Sequence, residues 1–476
     1  MLNKEKRPNI IFLMSDQQRW DYLGKLNSGV KTPALDKLAD DGVVFDQAVC
    51  QAAMCVPSRY SMMLGLYPSQ IGVTRNGQYV TDENLPVDPL PEVLRKEGYQ
   101  TAGFGKTHWC YHGTSTRGFE VRYVGQPSDG KLFEKGAVMM GDAAPDALAR
   151  YDEETKNYGP GEEGIEGYIG CKSKLPESDH RDGWVFDRCM EFLDSGIDDE
   201  RPLFLYLSFL KPHAGNNVPG DFVDWYDIDD MPVPSQPPKD LVEPCHATGI
   251  NREDMYIDHW SKVDRRQWQQ MILRYRANCS WIDSMFGRAL EKLESKGVLE
   301  NCLIVFVSDH GEMLGERYYR FNKYCLYESS VRVPMILAGT FIDEKLKGSI
   351  DHRPAELVDI LPTLIKAAGK DVDSKVLPGK DLLSDDVREA NFCEFHEKLN
   401  TKSYMWRNQQ YKLILTFPNN CERYGFAQKD IIEGEFYDIQ NDSCEWYNLM
   451  TDSKYQDVRE SMTNGLICHL NKYMCV

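Results

Sequence analysis

RPNIIFLMSDQQ, residues 7–18, is the stretch on which the fold turns. Its centre, Ile10 to Met14, is an unbroken apolar run that stops at Ser15, Asp16 and Gln17. Such a run is what a strand of a parallel sheet, buried on both faces, looks like. It is too short for a signal peptide or a membrane span, so a cytoplasmic location is the expectation. Working outward, four further runs have the same character: Thr101 to Phe104, Leu203 to Phe209, Leu303 to Val307 and Pro334 to Leu337. Helix-like segments lie between them. The longest, Arg265 to Lys296, carries Met271, Tyr275, Ile282, Phe286, Leu290 and Leu293 at helical spacing and leads into the strand that ends at Asp309.

This alternation predicts an α/β fold, a large mixed, mostly parallel sheet sandwiched by helices, over residues 1–385. A smaller C-terminal α+β unit, residues 386–476, is expected where the pattern turns to short pieces (Tyr411 to Phe417, Glu435 to Ile439) and a final helix. Gly125 to Asp182, rich in Gly, Asp and Glu, and His213 to Pro244, dense in Pro, Asp and aromatics, read as loops or insertions.

Composition narrows the partners. With 476 residues, 42% of them hydrophobic, the chain can bury at least one large core. Its 55 basic and 74 acidic side chains give a net charge of -19, which argues against nucleic acid or an anionic membrane surface. An anionic substrate therefore needs a local basic pocket. The 14 cysteines show no paired spacing and no CxxC, so most read as reduced, buried thiols.

Four of the five runs are followed by polar groups: Asp16 with Gln17, Lys106 with His108, Lys211 with His213, and Asp309 with His310. The carboxyl ends of parallel strands form one edge, where ligands bind, so these eight residues are expected to converge on one crevice. Singly, each has a bland reading: a cap or turn former for Asp16, a satisfied structural group for a histidine, a solvated charge for Lys106. Repetition at equivalent strand ends is what sets them apart. Asp16, Asp309 and His310, with the Gln17 carbonyl, suit Ca²⁺, Mg²⁺ or Mn²⁺, and Gly311 permits the sharp turn that two adjacent ligands require.

Cys55-Val56-Pro57-Ser58-Arg59 fits the start of a helix, with Pro57 in the first turn and Gly65 as the stop. Cys55 then lies at the end that favours anions, and Arg59, four residues on, comes round to its face. An ordinary buried cysteine at a helix start fits this chemistry equally well. Asn76, in RNG, reads as a turn residue, and Glu312 as a structural carboxylate at a helix start.

Cys55-x-Pro57-Ser58-Arg59 and the Leu64-Gly65 of SMMLGLYP resemble the sulfatase signature, in which a maturation enzyme oxidises the cysteine to formylglycine. The usual Thr-Gly ending is Leu64-Gly65 here. RPNIIFLMSDQQ, TPALDKLADDGVVFDQAV, GFGKTHW, LKPHAG, SDHGEMLGE, NKYCLYESSVRVPMI and GEFYDIQNDSCEWYNL are similar to further sulfatase blocks, in the family's order. FVDWYDIDDMPVP, after His213, is similar to sulfatases of the choline-sulfatase and iduronate-sulfatase type.

The resemblance implies an alkaline-phosphatase-like fold and one divalent ion, usually Ca²⁺, held by Asp16, Gln17, Asp309, His310 and the oxidised Cys55. Gln17 stands where many relatives carry a second Asp, so one ligand charge is missing. Arg59 is implied to steady the formylglycine hydrate, Lys106, His108 and Lys323 to hold the transferred group's oxygens, and His213 to protonate the leaving oxygen. The implied reaction is hydrolysis of a small anionic sulfate ester, such as a sulfated carbohydrate. One hydroxyl of the aldehyde hydrate attacks sulfur, and the second then expels sulfate. Two alternatives share these residues: a phosphonate monoester or phosphodiester hydrolase on the same scaffold, and a binding homologue whose Cys55 is never oxidised.

Overall fold

The computed structural model describes residues 7–128, 133–156, 169–241, 257–371, 377–396 and 401–475. The chain forms β1 (Asn9–Asp16), β2 (Gly42–Phe45), β3 (Ala48–Val49), β4 (Gln100–Gly105), β5 (Val121–Val124), β6 (Val138–Met139), β7 (Leu203–Pro212) and β8 (Cys302–Ser308). β9 (Met335–Ala338), β10 (Ser349–Asp351), β11 (Ala355–Glu356), β12 (Asn391–His396), β13 (Thr401–Arg407), β14 (Tyr411–Pro418) and β15 (Glu433–Asp438) follow.

Nine of these strands make the central sheet, in the order β10-β2-β9-β8-β1-β7-β4-β5-β6. β1 occupies the middle, Ile10 pairing with Phe204 of β7 on one side and Leu303 of β8 on the other. Pairing is parallel throughout except around β9, which runs antiparallel to both β8 and β2. That reversal explains why the run at Pro334 to Leu337 carried no polar pair at its end: its carboxyl terminus lies at the opposite edge of the sheet.

The unbroken apolar character of β1 has a direct cause. Ile10, Phe12 and Met14 face a core shared with the helix Cys55–Leu64, while Ile11 and Leu13 face one shared with Trp281, Ile282 and Phe286 of the helix Arg265–Ser295. A strand covered on both sides has no position at which a polar side chain is tolerated, and burying each Phe or Leu contributes about 2 kcal/mol. The long helix begins at a capping box in which the Asp264 carboxylate accepts from Gln267 N at 2.8 Å and Asp264 N donates to Gln267 Oε1 at 3.0 Å.

A second sheet, β12-β13-β14-β15, is antiparallel throughout. Met462, Leu466 and Leu470 of the last helix, Gln456–Tyr473, pack on its Phe392, Trp406, Leu413 and Leu415. Among the described residues no helix is long and apolar enough to cross a membrane.

The stretch 125–182 differs from its reading as an irregular insertion. It contains β6 and the helices Met140–Ala143 and Pro145–Lys156, while residues 157–168 lie outside the described part. Only Leu148 and Tyr151 of the longer helix are buried apolar residues, too few to give a periodic signal. Between 213 and 241 the chain makes just two short 3₁₀ turns, Phe222–Trp225 and Ile228–Asp230, as expected of a loop.

Gly105 closes β4 at φ +91°, and a Cβ there would lie 1.8 Å from Ser208 O of β7. Gly105→Ala is expected to cost about 3 kcal/mol, read as a lower urea midpoint; an unchanged midpoint would show that the strand end accepts a side chain.

Candidate active site

The central strands deliver their polar ends to one place. β1 ends at Asp16, and Asp309 and His310 follow β8 directly. The helix Cys55–Leu64 brings its first turn against them: Cys55 Sγ lies 3.1 Å from His310 Nε2, and Ser58 Oγ donates to Asp309 O at 2.5 Å. Asp16, Cys55, Asp309 and His310 are all buried, and one ligand atom from each falls within 4.8 Å of the others. Gln17 adopts φ 64°, a left-handed turn in which its N–H reaches Asp309 Oδ1 at 3.0 Å.

Arg59 is fully buried on the two carboxylates. Its Nε donates to Asp309 Oδ2 at 2.6 Å and its Nη2 to Asp16 Oδ2 at 2.9 Å. Nη1 donates to Lys106 O at 2.7 Å and Ser208 Oγ at 3.1 Å. The guanidinium thus orients the acidic pair. Lys106 Nζ also pairs with Asp16 Oδ2. Burial and the Cys55 thiol push the Asp16 carboxyl upward, but Lys106 and Arg59 outweigh them and hold it well below the usual carboxylate range.

Lys323 Nζ donates to Gln17 Oε1 at 2.6 Å and lies 3.3 Å from Cys55 Sγ and 3.2 Å from His213 Nε2. The residue at position 55 is therefore surrounded by positive charge. Burial alone would raise the Cys55 thiol, yet Lys106, Lys323 and His310 hold it well below an ordinary cysteine. An anion at this position is stabilised. Burial and Lys106 lower His108 to about 4, and burial and Lys323 lower His213, so both imidazoles are neutral near pH 7. For His310, burial lowers the pKa but Asp309 raises it above the ordinary value. His310 Nδ1 lies 2.9 Å from Gly311 O; donation there leaves Nε2 as the lone-pair nitrogen.

Of the eight strand-end residues, Lys211 does not deliver its amine to this cluster. Its Nζ donates to Gly215 O, so it braces the loop that carries His213. Burial lowers it to about 8, and the loop carbonyls give it the acceptors that a buried ammonium needs.

Several contributors were not singled out from sequence. Ser58, Tyr206 and Ser208 fix Asp309 and Arg59, and nothing in their local pattern distinguishes them from core hydroxyls. Glu312 is a buried structural acceptor. It accepts from Gln17 Nε2, Leu314 N and Asn322 N, joining the turn at Gln17 to the segment that presents Lys323. Asn76 Oδ1 accepts from Val56 N at 3.1 Å, one residue from Cys55.

A mostly parallel sheet whose carboxyl edge gathers two carboxylates, an imidazole and a helix-borne cysteine has the alkaline-phosphatase-like fold. The phosphonate monoester hydrolase of Agrobacterium radiobacter shares that fold at a TM-score of 0.74 and 21% identity, over 97% of this chain and 95% of that one. So does a protein solved in complex with its substrate D-glucosamine-2-N,6-O-disulfate, at a TM-score of 0.70 and 21% identity over 98% of both chains. An arylsulfatase of Clostridium perfringens is 27% identical over 98% of this chain and 94% of its own. The sulfatase family model matches residues 8–370, and one for the C-terminal part of N-sulphoglucosamine sulphohydrolase matches 315–472. The chain belongs to the sulfatase family, hydrolases of sulfate esters.

Arg59→Ala leaves two buried carboxylates without their shared partner and is expected to lower stability by about 3 to 5 kcal/mol, measured by urea denaturation. Arg59→Lys keeps the charge but cannot span both acids, so its midpoint should fall between the two; a wild-type midpoint for either would contradict the bridging role.

Proposed function

We propose that this sulfatase cleaves the sulfate ester of a carbohydrate or similarly small alcohol, using formylglycine made from Cys55 by a maturation enzyme and one divalent cation, Ca²⁺ ahead of Mg²⁺ or Mn²⁺. The convergence of Asp16, Cys55, Asp309 and His310 within 4.8 Å carries this reading. The donor set fits such an ion: Asp16 Oδ1 is buried with no hydrogen-bond partner among the described residues, as a ligand oxygen would be. A thiol is the one soft donor in an otherwise hard set, and its oxidation at position 55 removes that mismatch. Asp16, Gln17, Asp309, His310 and the oxidised residue 55 would hold the ion, which would neutralise charge on the sulfate oxygens and favour ionisation of the nucleophile.

The remaining steps belong to the chain's own groups. Lys106, Lys323 and His108 surround position 55 and supply donors for the oxygens of the transferred group. Lys323 is held protonated: burial works against its charge, but the anionic group at position 55 outweighs that. His213, whose Nε2 lies 3.2 Å from Lys323 Nζ beside position 55, is the group that protonates the leaving oxygen once it has itself taken up a proton from solvent. Arg59 keeps Asp16 and Asp309 in place during turnover rather than touching the hydrate.

A phosphonate monoester or phosphodiester hydrolase is the second reading, favoured by Gln17 where many sulfatases have an Asp. The two readings separate on a sulfate and a phosphonate ester of the same phenol. The sulfate is expected to turn over faster, and preference for the phosphonate would reverse the order. Cys55→Ala should lose at least about a thousandfold in kcat. Intact mass of the active protein should show the thiol replaced by the aldehyde; a wholly unmodified, active Cys55 would end the formylglycine reading.

Metal binding has its own readout. Ca²⁺ at about a hundredfold excess over its Kd should stabilise the EDTA-treated protein by about 2.7 kcal/mol in thermal unfolding. Asp309→Asn should abolish that shift, and an equal shift in the variant would remove Asp309 from the ligand set.

A further inference from the structure

The loop that carries Asn76 leads from the nucleophile to the surface along a series of aromatic rings. His108, at the cluster, has its ring centroid 5.9 Å from that of Tyr111. Tyr111 is 4.2 Å from His112 and 6.3 Å from Tyr79, and Tyr79 stacks on His112 at 4.3 Å with an interplanar angle of 23°. Tyr111 is buried and His112 half-buried, whereas Tyr79, the outermost ring, is 46% exposed.

The loop is held at both ends. Asn76 Oδ1 accepts from Val56 N at 3.1 Å, and Val80 N donates to Tyr60 Oη at 3.2 Å, one turn further along the same helix. Arg117 then bonds Val80 O, Tyr60 Oη and Asp82 Oδ1, and Tyr111 Oη donates to Gln78 O at 3.0 Å. A single exposed tyrosine is ordinary on a protein surface. Tyr79 differs because the helix that bears the nucleophile fixes the loop carrying it, and because a continuous series of rings joins it to a site residue.

The geometry points to Tyr79, backed by His112, as the stacking platform for a second sugar ring of the substrate, beyond the ring that bears the sulfate. This rests on the sulfate-ester reading and deepens it by naming the alcohol as an oligosaccharide. The apolar C–H face of a pyranose matches the face of an aromatic ring, and a platform that is already rigid loses little entropy on binding. Tyr79 lies two ring contacts outward from His108, so a sugar on its exposed face sits beyond the ring that bears the sulfate. Because the contact is remote from sulfur, it strengthens ground state and transition state alike and acts on KM.

The test compares a sulfated monosaccharide with a disaccharide carrying the same sulfate, in wild type, Tyr79→Ala and Tyr79→Phe. For Tyr79→Ala the ratio of kcat/KM, disaccharide over monosaccharide, should fall about tenfold, mostly through the disaccharide KM. Tyr79→Phe keeps the ring and should retain most of the wild-type ratio. A Tyr79→Ala ratio equal to wild type, or an equal loss on both substrates, overturns the platform while leaving the sulfatase reading intact. If wild-type protein with formylglycine verified by mass hydrolyses neither sugar nor an aryl sulfate, the underlying reading fails and the platform falls with it.

Discussion

One guanidinium organises the site. Asp16 and Asp309 end neighbouring strands in a fully buried setting, where two carboxylates left to themselves would not both remain ionised. Arg59 bonds one oxygen of each and, through Nη1, also reaches Lys106 O after β4 and Ser208 on β7. A single side chain thereby fixes the ends of four adjacent strands. The other Asp16 oxygen remains available, and the neighbouring lysines and imidazoles are positioned relative to a rigid acidic pair.

Much of this was legible in the sequence because two constraints leave local traces. Double burial forces unbroken apolar runs, which is why β1, β4, β7 and β8 could be placed, and parallel pairing puts whatever follows them on one edge. The helix start at Cys55 and its stop at Gly65, with φ 66°, also follow from local chemistry. What could not be read depends on side-chain direction. Lys211 shares the position of the other strand-end residues but turns back to Gly215 O, and Arg59 lies on the face of Cys55 yet spends its donors on the carboxylates. β12 and β13 were not anticipated, for their mix of polar and aromatic residues imitates neither a buried strand nor a regular alternation.

The charge pattern reconciles an acidic chain with an anionic substrate. The chain carries a net charge of -19, whereas Lys106, Lys323 and Arg59 are concentrated around position 55. Burial removes the solvent that would screen them, so a few groups determine the local potential against the global sign. Neutral His108 and His213 add hydrogen-bonding capacity without further repulsion inside the cluster.

The short helix Glu328–Val331, just after the segment that presents Lys323, is anchored from the far end of the chain. Arg407 forms two bonds to the Glu328 carboxylate, Lys412 joins it at 3.0 Å, and Glu445 accepts from Glu328 N at 2.7 Å. A ribosome emitting this polypeptide has already released the signature, both acids and Lys323 before any of those anchors exist. During synthesis the pocket is necessarily unfinished, and Cys55, sealed within a wholly buried helix in the folded protein, stays open to solvent until the chain closes over it. The site is therefore completed only once the last sheet is in place.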